Sequence, residues 1–236
     1  MRIKVIATGS SAGERLAGRW GVSFLIGRSV LFDTFGDPGV LLDNIRRFNV
    51  DTGRIRHIVL SHDDWDHIGG LRPLIENRKD ITVYICPGSR REIKRRFASS
   101  GVKLVEMRKA AQIKNGICST GELTGRSSGR KIYEQSLVVK TPGGTTVICG
   151  CAHPGAVKIV RSVRRRFRGG VNCLIGGFHL KDNTDRKNKS VIAALRRLGV
   201  RRIAPTHCTG ERATEMMRGA FGSGFIRVRE GASIEV

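Results

Sequence analysis

Short apolar runs, some alternating with polar residues, dominate the first sixty positions, and their length and spacing predict strands. Residues 3–8 (Ile3, Val5, Ile6), 22–26 and 30–33 read as an opening series, with Gly27-Arg28 as a tight turn between the last two. The period then changes. Pro38 opens a stretch in which Val40, Leu41, Ile45 and Phe48 recur at helical spacing, so an amphipathic helix leads into a strand at 55–60. Beyond it the pattern predicts a helix at 71–75, a strand at 81–86, a basic helix around 92–98 and a strand at 102–107.

From 109 to 134 the apolar pattern gives way to glycine and polar residues, which predicts a mobile loop or lid. Strands at 136–140 and 145–149 then flank Pro142-Gly143-Gly144 as a hairpin. A helix near 156–167, a strand at 172–175, a helix at 189–198, a strand at 202–204, a helix near 213–220 and a terminal strand at 225–228 complete the chain. A strand-rich segment followed by alternating strands and helices occurs twice. That repetition predicts one α/β domain over 1–236, with two sheets packed face to face, helices outside and loops gathered at one edge.

A chain of 236 residues suits a single domain. No apolar run approaches membrane-spanning length and the N-terminus reads as a strand, so a soluble, cytoplasmic protein without a membrane partner is expected. Six cysteines, at 86, 118, 149, 151, 173 and 208, form no regular framework and are expected to be reduced. Cys149-Gly150-Cys151 is too tight for an ordinary disulfide. It could hold a metal, but no second pair with zinc spacing accompanies it.

The formal charge of +23 changes the picture of partners. Basic clusters lie at Arg90, Arg91, Lys94, Arg95 and Arg96, at Arg161, Arg164, Arg165, Arg166 and Arg168, and at Arg196, Arg197, Arg201 and Arg202. Such a field attracts nucleic acid without specificity. In the second cluster, however, Val157, Val160, Val163 and Phe167 recur at helical spacing, which places the arginines on the solvated face of a core-packed helix.

The candidate chemistry sits directly after the 55–60 strand, in Ser61-His62-Asp63-Asp64-Trp65-Asp66-His67-Ile68-Gly69-Gly70. In an extended segment His62, Asp64 and Asp66 point the same way, and His67 follows where the chain can turn into a helix. Imidazole and carboxylate donors suit zinc, iron or manganese, and an open coordination position acidifies a water. The competing reading is a solvated acidic turn that caps a helix. Three further histidines tip the balance: His153, His179 and His207 each follow an apolar strand, where a rigid sheet positions reactive side chains. His57, inside a strand, reads as a surface or packing residue.

Residues 62–67 match the signature H-x-H-x-D-H except that Asp64 replaces the second histidine. With the segments 21–26, 30–34, 134–137, 149–155, 176–180 and 206–210, the chain resembles the metallo-β-lactamase superfamily. It looks most like the small metal-dependent hydrolases that include the dihydropterin ribofuranosyl-aminobenzene phosphate synthases. The resemblance implies a four-layer αββα sandwich with one or two divalent ions at an edge of its sheets. His62, Asp64 and His153 would hold the first ion, and Asp66, His67 and His207 the second. Asp33 would orient the loop from beneath, or else merely form a turn before Thr34. The aspartate that usually bridges the ions has no counterpart in Gly176-Gly177-Phe178-His179, which predicts a loosely held or missing second ion. Asp64 hardens the first site and favours iron or manganese relative to zinc.

The function implied is hydrolysis of a small ester, lactone or phosphoester by a metal-activated water. Asp66 would orient or deprotonate the nucleophile, and His179 would donate a proton or hydrogen bond. Thr209-Gly210, at a helix start, suits a phosphorylated substrate. The alternatives are a transferase of the synthase type and a nucleic-acid-binding protein or nuclease.

Overall fold

The computed structural model describes residues 1–167 and 169–236. Arg168, counted above in the second basic cluster, lies outside the described residues. The N-terminal half runs β1 (Arg2–Gly9), α1 (Ala12–Leu16), β2 (Gly21–Ile26), β3 (Val30–Phe32), α2 (Pro38–Arg47), β4 (His57–Val59), α3 (Trp65–Ile68), α4 (Leu71–Ile75), β5 (Thr82–Ile85), α5 (Arg91–Ala98) and β6 (Lys103–Glu106). The remainder runs β7 (Ala111–Lys114), β8 (Ile117–Ser119), β9 (Leu123–Ser127), β10 (Arg130–Glu134), β11 (Leu137–Thr141), β12 (Gly144–Cys149), α6 (Ala156–Arg166), β13 (Val171–Gly177), α7 (Asp185–Arg197), β14 (Arg202–Thr206), α8 (Glu211–Phe221) and β15 (Ser233–Glu235).

These strands form a seven-stranded sheet, β15-β1-β2-β3-β4-β5-β6, a six-stranded sheet, β14-β13-β12-β11-β8-β7, and the separate hairpin β9-β10. Strand alternation divides the apolar residues into three layers. Val22, Phe24 and Ile26 of β2 meet Leu137 and Val139 of β11 and Ile175 of β13 between the sheets. Leu25, Ile58 and Leu60 face the other way, onto Leu41 and Ile45 of α2 and Leu71 and Leu74 of α4. Val138, Val147 and Leu174 pack outward against Ile159, Val160 and Val163 of α6 and against Leu195 and Met217. Three apolar layers separate four structural ones, so the fold is the αββα sandwich.

Three segments depart from the pattern read in the sequence. Residues 109–134 are largely strands rather than an irregular loop. Each strand carries few apolar side chains, chiefly Ile113, Ile117 and Ile132, and the glycines serve as turns. Ser128 (φ 47°) and Gly129 (φ 76°) make a two-residue hairpin loop in which both central residues take the left-handed conformation. At the C-terminus, 225–228 is not a strand: Phe225 makes a single bridge to Ile203, while Ile226 and Val228 pack on the inter-sheet core. The terminal strand is β15, paired antiparallel to β1. The short α1 escaped the periodic reading because none of its residues is buried; a capping box between Ser11 and Glu14 defines its start.

Candidate metal centre

The loop after β4 is held from below by Asp33, which follows β3 in a left-handed conformation (φ 56°) and is fully buried. Its carboxylate accepts hydrogen bonds from the Ser61 backbone N–H (2.6 Å), the Ser61 hydroxyl (2.7 Å) and His67 Nδ1 (2.7 Å). With the Ser61 hydroxyl proton directed at Asp33, His62 Nδ1 donates to Ser61 Oγ (2.9 Å). Gln135 steadies the same loop from the opposite sheet, donating from its side chain to Leu60 O (2.9 Å) and from its backbone to Ser61 O (2.8 Å).

At the end of the separate hairpin, Glu134 of β10 performs the corresponding task for the loop after β12. Its buried carboxylate accepts the backbone N–H groups of Cys151 (3.0 Å), Ala152 (2.7 Å) and His153 (2.8 Å), and also His153 Nδ1 (2.9 Å). His207 donates from Nδ1 to Gly9 O (3.0 Å) and packs its ring 4.5 Å from that of Trp20. All four imidazoles therefore have Nδ1 committed, which fixes the ring orientation and makes Nε2 the position that faces the cleft. Neighbouring ring centroids lie 4.1 Å apart for His62 and His67, 4.8 Å for His62 and His153, and 5.2 Å for His67 and His207.

The two acids close the set. Asp64 Oδ2 lies 3.5 Å from His62 Nε2, and Asp66 Oδ2 lies 3.5 Å from His67 Nε2 and 3.3 Å from His207 Nε2. His62 Nε2 and His207 Nε2 are buried without a hydrogen-bond partner. Buried acceptors are rarely left so, and a cation is the partner that converging lone pairs and carboxylates suit. Three sets of donors lie within 4.8 Å of one another: His62, Cys151 and His153; His67, Cys151 and His207; and Cys151, His179 and Cys208.

Electrostatics agree with a cation site. The His62 imidazole beside it draws the Asp64 carboxyl down to about 2. Burial alone would raise Asp66, but the His67 and His207 imidazoles outweigh it and hold the group well below the carboxylate range. Burial opposes a charge on His67, yet Asp66 and Asp33 on either side raise its imidazole well above the ordinary value. A cation arriving at Nε2 thus replaces a proton. Burial, with Cys208 and Asp66 alongside, keeps the Cys151 thiol well above its usual value, so its thiolate needs a cation next to it.

The cleft measures about 450 Å³ and is lined by His62, Asp64, Asp66, His153, His179 and His207, among others, with His67 directly beneath. Thr209 and Gly210 do not line it: the Thr209 hydroxyl turns inward to accept from the Phe178 N–H (3.1 Å). His57 stands apart from the site, with Nδ1 3.1 Å from the Tyr84 hydroxyl. Two contributors escaped the sequence reading. Glu134 and Cys151 lie in segments that carry the family resemblance, but Glu134 is given no role there and Cys151 is weighed for metal only as half of a C-x-C pair.

A family model described as "Beta-lactamase superfamily domain" matches residues 28–208. The chain belongs to the metallo-β-lactamase superfamily. Among its relatives is the 7,8-dihydropterin-6-methyl-4-(β-D-ribofuranosyl)-aminobenzene-5'-phosphate synthase of Methanocaldococcus jannaschii, 28% identical over 91% of this chain and 89% of that protein. Among solved structures, Tm1679, a metal-dependent hydrolase of the superfamily, superposes with a TM-score of 0.77 at 26% identity, covering 100% of this chain and 99% of that one. Human tRNase Z, short form, superposes with a TM-score of 0.66 at 16% identity over 100% of this chain and 99% of its own, a likeness of fold alone. The chain is therefore a hydrolase-like superfamily member whose clustered histidines and cysteines are positioned for metal. Among the described residues, no helix is long and apolar enough to cross a membrane.

Proposed function

We propose that the chain is a metal-dependent hydrolase acting on a small substrate, with a phosphoester favoured over an ester or lactone. The observation that carries this reading is the convergence of four Nε2 atoms, each oriented by a bond at Nδ1, beside Asp64 and Asp66. His62, Asp64 and His153 hold one divalent ion, and Asp66, His67 and His207 the other; zinc, iron and manganese all accept such donors. Ions so held supply Lewis-acid polarisation of the acceptor oxygen and acidify a water.

The chain's own groups do the rest. Asp66, kept ionised between His67 and His207, orients the attacking water by accepting a hydrogen bond from it; a carboxyl held so low is a weak proton acceptor. His179 is half-buried at the rim, with Nδ1 free of any partner and its ring 4.6 Å from that of His153. A hydrogen bond with Cys208 raises its imidazole above the ordinary value, which suits it to donate to substrate or leaving group. Arg15 and Lys181 both approach the Trp20 ring, at 5.7 Å and 5.5 Å, and neither has an acidic partner among the described residues. Two unpaired cations at the mouth of the cleft favour an anionic substrate such as a phosphoester.

The test is turnover by protein of measured metal content, offered p-nitrophenyl phosphate, its bis ester, p-nitrophenyl acetate and a γ-lactone. Cleavage of a phosphoester that chelation abolishes and divalent metal restores is expected. No turnover of any of the four by metal-loaded protein would sink the hydrolase reading. A second reading, a transferase of the dihydropterin synthase type, is favoured by the 28% identical relative and is separated by product analysis with pterin and ribofuranosyl-aminobenzene phosphate. Binding to nucleic acid, proposed from the charge of +23 alone, should fall steeply with salt.

A further inference from the structure

Cys151 is the residue shared by all three donor sets, and the sequence offers no bridging carboxylate where the superfamily usually has one. Of the segment 176–179, Phe178 is buried in the outer apolar layer and His179 stands at the rim. Cys151 Sγ instead lies 3.3 Å from His67 Nε2 and within 4.8 Å of the histidine donors of both half-sites. We propose that Cys151 replaces the missing carboxylate, as a thiolate ligand common to both ions.

The surroundings of Cys151 are not those of an inert core thiol. Among the described residues it clusters with just two buried apolar side chains, Trp20 and Cys208, whereas Cys149, two residues earlier, is embedded in the aliphatic layer under α6. Three hydrogen bonds from the backbone N–H groups of 151–153 to Glu134 fix the loop, and Ala152 is held in a left-handed conformation (φ 55°). Conformations of that kind persist where the surroundings over-determine them, commonly at ligand clamps. A single S–H is a weak donor and cannot satisfy the orphaned Nε2 atoms of both His62 and His207.

Charge and softness point the same way. Each half-site contributes one carboxylate and two neutral imidazoles, so two divalent ions leave an excess of two positive charges, which a thiolate halves. A sulfur ligand also offsets the hardening due to Asp64 and shifts preference from manganese toward zinc or ferrous iron. This inference rests on the metal-dependent reading of the site, and the experiment separates the two.

Protein stripped of metal is titrated with cobalt(II) while absorption and bound metal are followed together. Wild type should take up two equivalents and show a thiolate-to-cobalt charge-transfer band in the near ultraviolet that changes through the second. Cys151→Ser should lose the band and bind cobalt at least about tenfold more weakly. Cys151→Asp should bind two ions without the band, and Cys208→Ser should retain it. Two ions bound without a band, a band complete at one equivalent, or a band that survives Cys151→Ser would overturn the shared thiolate while leaving the metal reading intact. Wild type that binds no cobalt would overturn both.

Discussion

The loop after β4 and the loops at the ends of β12, β13 and β14 meet at one site, yet they are built differently. The first delivers His62, Asp64, Asp66 and His67 from one short stretch, hung on a single buried carboxylate, Asp33. The second delivers Cys151, His153, His179 and His207 one or two at a time, from loops that only parallel strand pairing brings into line. Glu134 anchors just the first of these. The local half is compact in sequence and rests chiefly on Asp33, with Gln135 beside it, whereas the dispersed half spreads its support over the sheet.

The largest test of this contrast is Asp33→Ala. It strands the Ser61 and His67 donors in a buried position, so about 3–5 kcal/mol of stability should be lost in urea unfolding of the metal-free protein. A midpoint unchanged from wild type would show that the loop does not hang on Asp33. Glu134→Gln should cost less, about 1–3 kcal/mol, because an amide oxygen still accepts some of the three backbone N–H groups.

Glu134 also sets a pH window. Burial opposes its charge, but the bonds from His153 depress its folded value below the 4.5 of a free glutamate. Its contribution is therefore complete above about pH 4.5 and is lost as the pH falls further into acid. The stability of Glu134→Gln should depend less on pH than wild type in that acid range, as thermal melts of metal-free protein would show.

Gly150 is where the two halves touch, since an added Cβ would come within 2.1 Å of Ser61 Oγ and 2.8 Å of Asp33 Oδ2. Gly150→Ala should cost roughly 1–3 kcal/mol and lower the affinity for both ions together, because the sheets must separate slightly. Loss of only one ion would mean that the half-sites relax independently. Smallest in stability is Trp65→Ala: the side chain is 54% exposed, so unfolding should shift by less than about 0.5 kcal/mol. Its place on the cleft wall predicts a raised KM with kcat little changed, and an unaltered KM would remove Trp65 from the substrate surface.

Much of the architecture was legible because apolar period carries it. The alternation in β2 and β11 and the helical spacing in α2 and α6 assign residues to the layers in which they are found. The segment 109–134 was not legible: its strands bury few side chains, and glycines that close hairpin turns look in sequence like glycines in a loop. The ligand-type residues at 62–67, 153, 179 and 207 could be nominated because histidine after a strand is conspicuous. Cys151 could not. A period of two places Cys149 and Cys151 on one side, but β12 ends at Cys149 and the chain turns onto Glu134, so one thiol enters the helix-covered layer and the other the cleft.

The sequence by itself determined the layers, the loop that carries four donors and the substitution of Asp64, because each is a matter of residue type at short range. Tertiary structure alone decided which nitrogen of each histidine faces the cleft, which of the two readings of Asp33 holds, that Glu134 supports the other half, and that Cys151 stands between the two halves. The physical reason is distance along the chain. Asp33 and His67, Gly9 and His207, and Cys151 and His67 are far apart in sequence, and no local periodicity reports a contact made only when two sheets close face to face.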